Sequence, residues 1–87
     1  MGNLSELPNI GLTLEKQLID VGINTAEELK NIGSRDAWLR ILQRDPSACL
    51  TRLLALEGAV RGIRWHNLDD ETKESLKEFY YRHKKGK

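Results

Sequence analysis

Apolar residues recur along this chain at the three- and four-residue spacing of a helix face, not at the alternate positions of a strand. The first such face joins Leu14, Leu18 and Val21, and it predicts a helix over residues 13–21. Gly22 follows this face at the position where a helix favours a left-handed cap. The pattern therefore predicts short helices joined by tight turns.

The next two predicted helices are separated by a single glycine. Thr25 and Glu28 have the spacing of a capping box, which predicts a short helix that ends near Gly33. Ser34 has the side chain of an N-cap residue and predicts the start of a further helix. The apolar stripe of that helix consists of Ala37, Trp38, Ile41 and Leu42.

The most apolar predicted helix runs from residue 46 to about residue 61. Asp45 and Pro46 suit its N-cap and first position, since proline loses no hydrogen bond there. The apolar stripe consists of Cys49, Leu53, Leu56 and Val60. Gly58 leaves room for a neighbouring helix, and Gly62 ends the run. We expect this helix at the centre of the core, with Cys49 as a buried and unreactive residue.

The last predicted helix begins after Asp69, which can cap it. Its apolar face consists of Leu76, Phe79, Tyr80 and His83. Acidic residues at its start and basic residues at its end both complement the helix dipole. Because no segment alternates like a strand, the sequence predicts an all-α domain of five helices.

The length of 87 residues has room for one domain, which we place at residues 1–87 with a core at about 4–83 and a basic tail at 84–87. The apolar runs are far shorter than the ~20 residues that span a bilayer. The N-terminus has no signal-peptide pattern, and the lone Cys49 cannot form an internal disulfide. We expect a cytoplasmic protein that makes no contact with a membrane.

Catalytic and metal chemistry find little support in this sequence. One cysteine and two distant histidines, His66 and His83, provide neither a metal-ligand motif nor a thiol active site. No glycine-rich motif for phosphate or dinucleotide binding is present. We expect a binding module that is not an enzyme and uses no metal, no cofactor and no small-molecule substrate.

A short internal repeat suggests what the module binds. The first copy is Leu7, Pro8, Asn9, Ile10 and Gly11. Residues 29–33 repeat its leucine, asparagine, isoleucine and glycine 22 positions later, and a predicted helix follows each copy. Such a repeat indicates one supersecondary unit used twice. The unit resembles the helix-hairpin-helix of DNA repair and replication proteins, where backbone N–H groups hold a phosphate without reading bases.

A narrower resemblance covers roughly residues 4–80. Its first half resembles the opening of the C-terminal domain of the TfoX competence-regulator family. The order and spacing are similar at the first hairpin (residues 7–11), at the run 21–23 and at Gly33. The run 54–62 with Trp65 and Leu76 resembles the second half of that domain. The resemblance implies a compact five-helix domain of helix-hairpin-helix or sterile-alpha-motif-like architecture. Family members that regulate competence also have an N-terminal domain. We expect this chain to lack that domain, and we expect only the fold to carry over.

The helices that follow the two hairpins lie in segments of opposite net charge. Residues 1–34 contain two lysines and five acidic residues, whereas residues 35–64 contain six arginines and three acidic residues. Since phosphate contact requires basic neighbours, we interpret the first hairpin, residues 7–11, as a structural turn. The predicted nucleic-acid contacts are Gly33, Arg35, Arg40, Arg61 and Arg64.

Two functions fit these observations. One is sequence-independent binding of the DNA backbone, linked to competence or transcription regulation. The other is a protein–protein module that self-associates or docks to a separate partner chain, which the nearly balanced net charge of +1 favours. A DNA complex weakens steeply with salt, whereas an apolar protein contact does not.

Overall fold

The computed structural model describes residues 4–84, without the side chains of residues 5 and 84. Its α-helices are α1 (Leu12–Asp20), α2 (Ala26–Ile32), α3 (Ser34–Arg44), α4 (Leu50–Arg61) and α5 (Asp70–Lys84). Two 3-10 turns lie at Leu4–Glu6 and Trp65–Asn67. No strand occurs within residues 4–84, so the prediction of an all-α, five-helix fold is confirmed. Of the predicted basic tail at 84–87, Lys84 is the last residue of α5, and residues 85–87 lie outside the described residues.

Helix α4 is the centre of the core, as its composition predicted. It packs against α2, α3, α5 and the second 3-10 turn. Trp38 of α3 is fully buried, and its ring lies 6.0 Å from that of Phe79 and 5.7 Å from that of Tyr80. The other large, fully buried side chains are Leu4, Leu18, Ile23, Leu29, Ile41, Leu53, Leu56 and Leu76. One shared core therefore connects all five helices.

Several predicted helix ends are confirmed by their hydrogen bonds. The Glu28 backbone N–H donates to Thr25 Oγ1 at 3.1 Å, and the Glu28 carboxylate accepts from the Asn24 backbone N–H at 2.7 Å. The φ of Gly62 is 78°, which is the left-handed cap that ends α4. Asp69 Oδ2 accepts from the Thr72 backbone N–H at 3.2 Å and caps α5.

The start of α4 differs from the prediction. Asp45 Oδ1 accepts hydrogen bonds from the backbone N–H and the hydroxyl of Ser47, at 3.1 and 2.6 Å. This local turn takes the place of the predicted first helical turn. The Asp45 carboxylate accepts hydrogen bonds from Ser47, two residues further along the chain, and does not cap a helix. The helix begins at Leu50, and Cys49 is its exposed N-cap residue. The expectation that Cys49 is buried was wrong, and Ala48 takes the buried position.

Ser34 is also used differently from the prediction. It is the first residue of α3, and Gly33 occupies the N-cap position without a side-chain hydrogen bond. The buried Ser34 hydroxyl donates to Glu57 Oε1 of α4 at 2.5 Å. The serine therefore joins two helices instead of capping one.

The two copies of the repeat have the same role only at their glycines. Gly11 is the N-cap residue of α1, and Gly33 is the N-cap residue of α3. Residues 7–10 form an irregular turn, whereas residues 29–32 are the last turn of α2. The repeat marks two equivalent helix starts, but its two copies do not have the same backbone conformation.

Candidate nucleic-acid interface

The first hairpin is fastened to the segment that follows α4 by one side chain. Asn9 has a left-handed backbone with a φ of 72°, a conformation that asparagine tolerates. Its Nδ2 donates to the Ile63 carbonyl at 3.0 Å and the Ala55 carbonyl at 3.4 Å, and its Oδ1 accepts from the Trp65 backbone N–H at 3.2 Å. These hydrogen bonds therefore join the hairpin and residues 63–65 into one structural unit.

Gly58 provides the space for this unit. A Cβ at position 58 would lie 2.5 Å from Asn9 Nδ2 and 2.7 Å from the Ile63 carbonyl oxygen. The sequence predicted that this glycine makes room for a neighbouring helix. The space is instead occupied by the asparagine side chain and by the backbone of residues 63–65.

A broad cleft of about 580 Å³ lies beside this unit, between the starts of α1 and α4. Its lining residues are Asn9, Gly11, Leu12, Thr13, Leu14, Cys49, Thr51, Arg52, Ala55, Arg64 and Trp65. Two of them are arginines, and none is an aspartate or a glutamate. We call this surface the arginine cleft.

Two helices begin at the arginine cleft. Neither Gly11 at α1 nor Cys49 at α4 makes a side-chain capping hydrogen bond. The first N–H groups of a helix have no partner within the helix, and the helix dipole places about half a positive charge there. Both helix ends therefore add to the positive potential of the two arginines.

The guanidinium groups of the two cleft arginines differ in whether they have a partner within the protein. Arg52 Nη1 lies 3.3 Å from Asp45 Oδ2, and that oxygen also accepts from Gln17 Nε2 at 2.9 Å. The hydrogen bonds from Ser47, followed by that from Arg52, lower the pKa of the Asp45 carboxyl below its ordinary value. The guanidinium of the exposed Arg64 makes no hydrogen bond or ion pair with another residue of the part 4–84, and only the Arg64 backbone carbonyl is bonded, accepting from the Asn67 N–H at 2.9 Å. Its guanidinium can accept a ligand without losing an internal contact.

Three of the predicted contact residues come together elsewhere, where α3, α4 and α5 meet. Gly33 is the N-cap residue of α3 there. Arg35 Nη2 donates to Ser75 Oγ at 2.9 Å, and the Arg35 guanidinium lies 5.7 Å from the centre of the Phe79 ring. Arg61 Nε donates to Glu57 Oε2 of the same helix at 2.6 Å, and its Nη2 donates to Thr72 Oγ1 of α5 at 3.2 Å. These arginines are used in holding helices together.

The remaining two predicted residues are separated from that junction and from each other. Arg40 is on the flank of α3 that faces α1, where its Nη1 donates to the Val21 carbonyl at 3.4 Å. Arg64 alone among the five lines the arginine cleft. Sequence reasoning missed Arg52 and Thr13, because no spacing pattern connects α4 with a hairpin some forty residues earlier.

An aromatic pair and an apolar side chain complete the cleft. Trp65 is half-buried in its wall, and its ring stacks on that of the exposed His66 with centroids 3.9 Å apart and planes inclined by 28°. Leu12 is 81% exposed at the start of α1. The cleft thus presents positive charge and flat apolar surface together.

The described part of the chain has two further relevant features. No three of its His, Cys, Asp and Glu side chains are grouped as metal ligands would be. None of the helices found within residues 4–84 has the length and apolar character needed to cross a membrane.

Five helices around one core define a compact all-α domain. Residues 1–80 match the TfoX C-terminal domain, and the chain belongs to this family. It is therefore related to competence regulators.

Two crystal structures of Listeria monocytogenes proteins, one described as uncharacterized and one as of unknown function, have the same fold. The first is 55% identical with a TM-score of 0.95, covering 98% of this chain and 96% of the other. The second is 57% identical with a TM-score of 0.92, covering 93% and 99%.

Among curated proteins, the chain is 34% identical over 76 residues to Protein Sxy of Escherichia coli (strain K12). The match covers 87% of this chain and 36% of the relative. The chain therefore spans about a third of the length of this relative.

Proposed function

We propose that this domain is a non-catalytic module that binds the phosphate backbone of nucleic acid through the arginine cleft, without reading the base sequence. The observation that carries the proposal is the composition of the cleft: two arginines, two helix N-termini without side-chain caps, and no carboxylate in the lining. Phosphate oxygens are bound in proteins by these same groups, namely guanidinium forks and helix N–H groups.

The geometry favours the arginine cleft over the predicted cluster of Gly33, Arg35 and Arg61. Each guanidinium in that cluster already has an internal partner, including the carboxylate of Glu57. Binding a phosphate there would require the loss of those contacts, whereas Arg64 loses none. Arg64 is thus the predicted contact residue that the proposal retains. Arg52 lines the same cleft and adds its charge, while its guanidinium keeps the ion pair with Asp45.

The family relation supports a cellular setting for this activity. Because the chain belongs to the TfoX C-terminal domain family, we place nucleic-acid binding in competence or transcription regulation, in the cytoplasm. Binding without sequence preference would concentrate a regulator on DNA, while another domain or chain selects the site.

A second candidate function is docking to a protein. Its support is the exposed face of α1, where Leu12 is 81% and Ile19 is 47% exposed, seven residues apart on one side of the helix. This surface would bind a separate partner chain or a second copy of the domain, and salt would affect such a complex little.

The test is fluorescence anisotropy of a labelled duplex, titrated with the protein at low and moderate salt. The proposal predicts binding that weakens with salt, by ~0.9 in the log–log slope for each phosphate neutralised. Arg64→Ala should weaken binding and reduce the slope by about 0.9. Arg35→Ala and Arg40→Ala are the matched controls on the other surfaces, and they should have little effect.

Loss of binding in Arg35→Ala but not in Arg64→Ala would move the site to the junction of α3, α4 and α5. Absence of binding at low salt would refute the proposal for nucleic acid. Sedimentation of the same sample would then test docking, since Leu12→Glu should abolish any self-association through α1.

A further inference from the structure

Trp65 and His66 form a flat aromatic surface at the edge of the arginine cleft. The rings stack on each other, and the His66 ring is exposed to solvent. The backbone of this pair is held on both sides: the Trp65 N–H donates to Asn9 Oδ1, and Lys73 Nζ donates to the His66 carbonyl at 3.1 Å. The backbone that carries the two rings is therefore fixed at two points, and two cations, Arg64 and Lys73, lie beside it.

We infer that the aromatic pair stacks on an unpaired base, so that the ligand of the arginine cleft is single-stranded nucleic acid. This inference rests on the phosphate binding proposed above and adds the form of the ligand. Proteins bind single strands by combining a positive groove with aromatic rings on which bases stack, and every base has a face for such contact. The bases of a duplex are already stacked on their neighbours, so a duplex offers the cleft only its phosphates.

The order of residues supports this arrangement. Arg64 immediately precedes Trp65 in the chain, so the phosphate contact and the base contact lie side by side. A single nucleotide also presents its phosphate and its base side by side. The exposed side chain of Tyr81, at 52%, differs in its charged neighbours. The surface around it is lined by two acidic and two basic side chains, so it carries no net positive charge to bind a phosphate: Glu74, Glu78, Lys77 and Arg82.

Tryptophan fluorescence provides a direct test, because the two tryptophans differ in exposure. Trp38 is fully buried, so a ligand that stacks in the cleft can quench only Trp65. The probes are an oligothymidine of about 12 nucleotides and the duplex that it forms with oligoadenosine. The single strand should quench the emission and bind more tightly than the duplex, and Trp65→Phe should abolish the quenching.

Variants of the exposed histidine separate stacking from phosphate contact. His66→Ala should weaken single-strand binding roughly 5- to 100-fold, while duplex binding is unchanged. His66→Phe restores a ring and should restore the affinity, and Tyr81→Ala is the matched control. Equal binding of strand and duplex, with no effect of His66→Ala, would overturn the single-strand inference and leave the phosphate proposal standing. Binding of neither probe would overturn both.

Discussion

Asn9 and Gly58 occupy complementary positions, and this relationship connects the first hairpin with the central helix. The Asn9 amide nitrogen lies where a side chain at position 58 would begin, 2.5 Å from the Cβ that any other residue would have. The amide group bonds the backbone of residues 55, 63 and 65 from that position. The geometry of the arginine cleft therefore depends on a glycine that does not line it.

Gly58→Ala should destabilise the fold by about 1–3 kcal/mol, because the new methyl group overpacks a site closed by backbone atoms. This change opposes the helix propensity, since alanine is about 1 kcal/mol more favourable than glycine inside a helix. Urea denaturation measures the difference in the free energy of unfolding. Thr51→Ala, at an exposed position of α4, is the control and should change it by less than about 0.5 kcal/mol. A stabilised Gly58→Ala protein would contradict the close approach of Asn9.

Substitutions of Ser34 test whether its side chain caps a helix or forms a buried hydrogen bond between two helices. Ser34→Ala removes the hydroxyl that donates to Glu57 and should cost about 1–2 kcal/mol of unfolding free energy. Ser34→Asp should destabilise the protein further, since it places a second carboxylate against Glu57 in a buried position. An N-cap serine would accept aspartate without loss. Thermal denaturation of the two variants therefore distinguishes the roles.

Acid should weaken the fold through Asp45. The hydrogen bonds from Ser47 lower the folded-state pKa of this carboxyl below its ordinary value of 3.8. A lowered pKa contributes stability that is complete above pH 3.8 and is lost as the pH falls through the folded-state pKa. Urea midpoints at about pH 6 and about pH 3 should therefore differ less in Asp45→Asn than in the parent protein. Ser47→Ala should reproduce part of this effect, and parallel pH profiles in all three proteins would exclude it.

Cys49 should react readily in the folded protein. Its thiol is exposed at the start of α4, where the sequence pattern predicted a buried position. Because no unfolding is needed to reach it, a chromogenic disulfide reagent should titrate one thiol per chain in buffer without denaturant. A thiol that reacts only after addition of urea would contradict the placement of Cys49. Ala48→Cys in a Cys49→Ser background provides the buried comparison.

Local sequence signals were sufficient for most of the fold. The three- and four-residue spacing identified the five helices, because each must turn one apolar face to a single core. Thr25 with Glu28, Gly62 and Asp69 located helix ends correctly, since each acts within a few residues of its own position. The left-handed conformation of Asn9 also agrees with its residue type, because asparagine is one of the few residue types that tolerate it.

The sequence by itself thus determined the class of fold, the number of helices and the apolar faces that form most of the core, with Cys49 as an exception. Tertiary structure decided the rest, because the relevant partners are far apart in the chain. Ser34 meets a carboxylate 23 residues away, and Asn9 meets a backbone N–H 56 residues away. The arginine cleft arises in the same manner, from the starts of two helices that lie far apart in the sequence and are brought together by the packing of the core. Periodicity describes which face of a helix is buried, but it carries no information on which distant residue that face will contact.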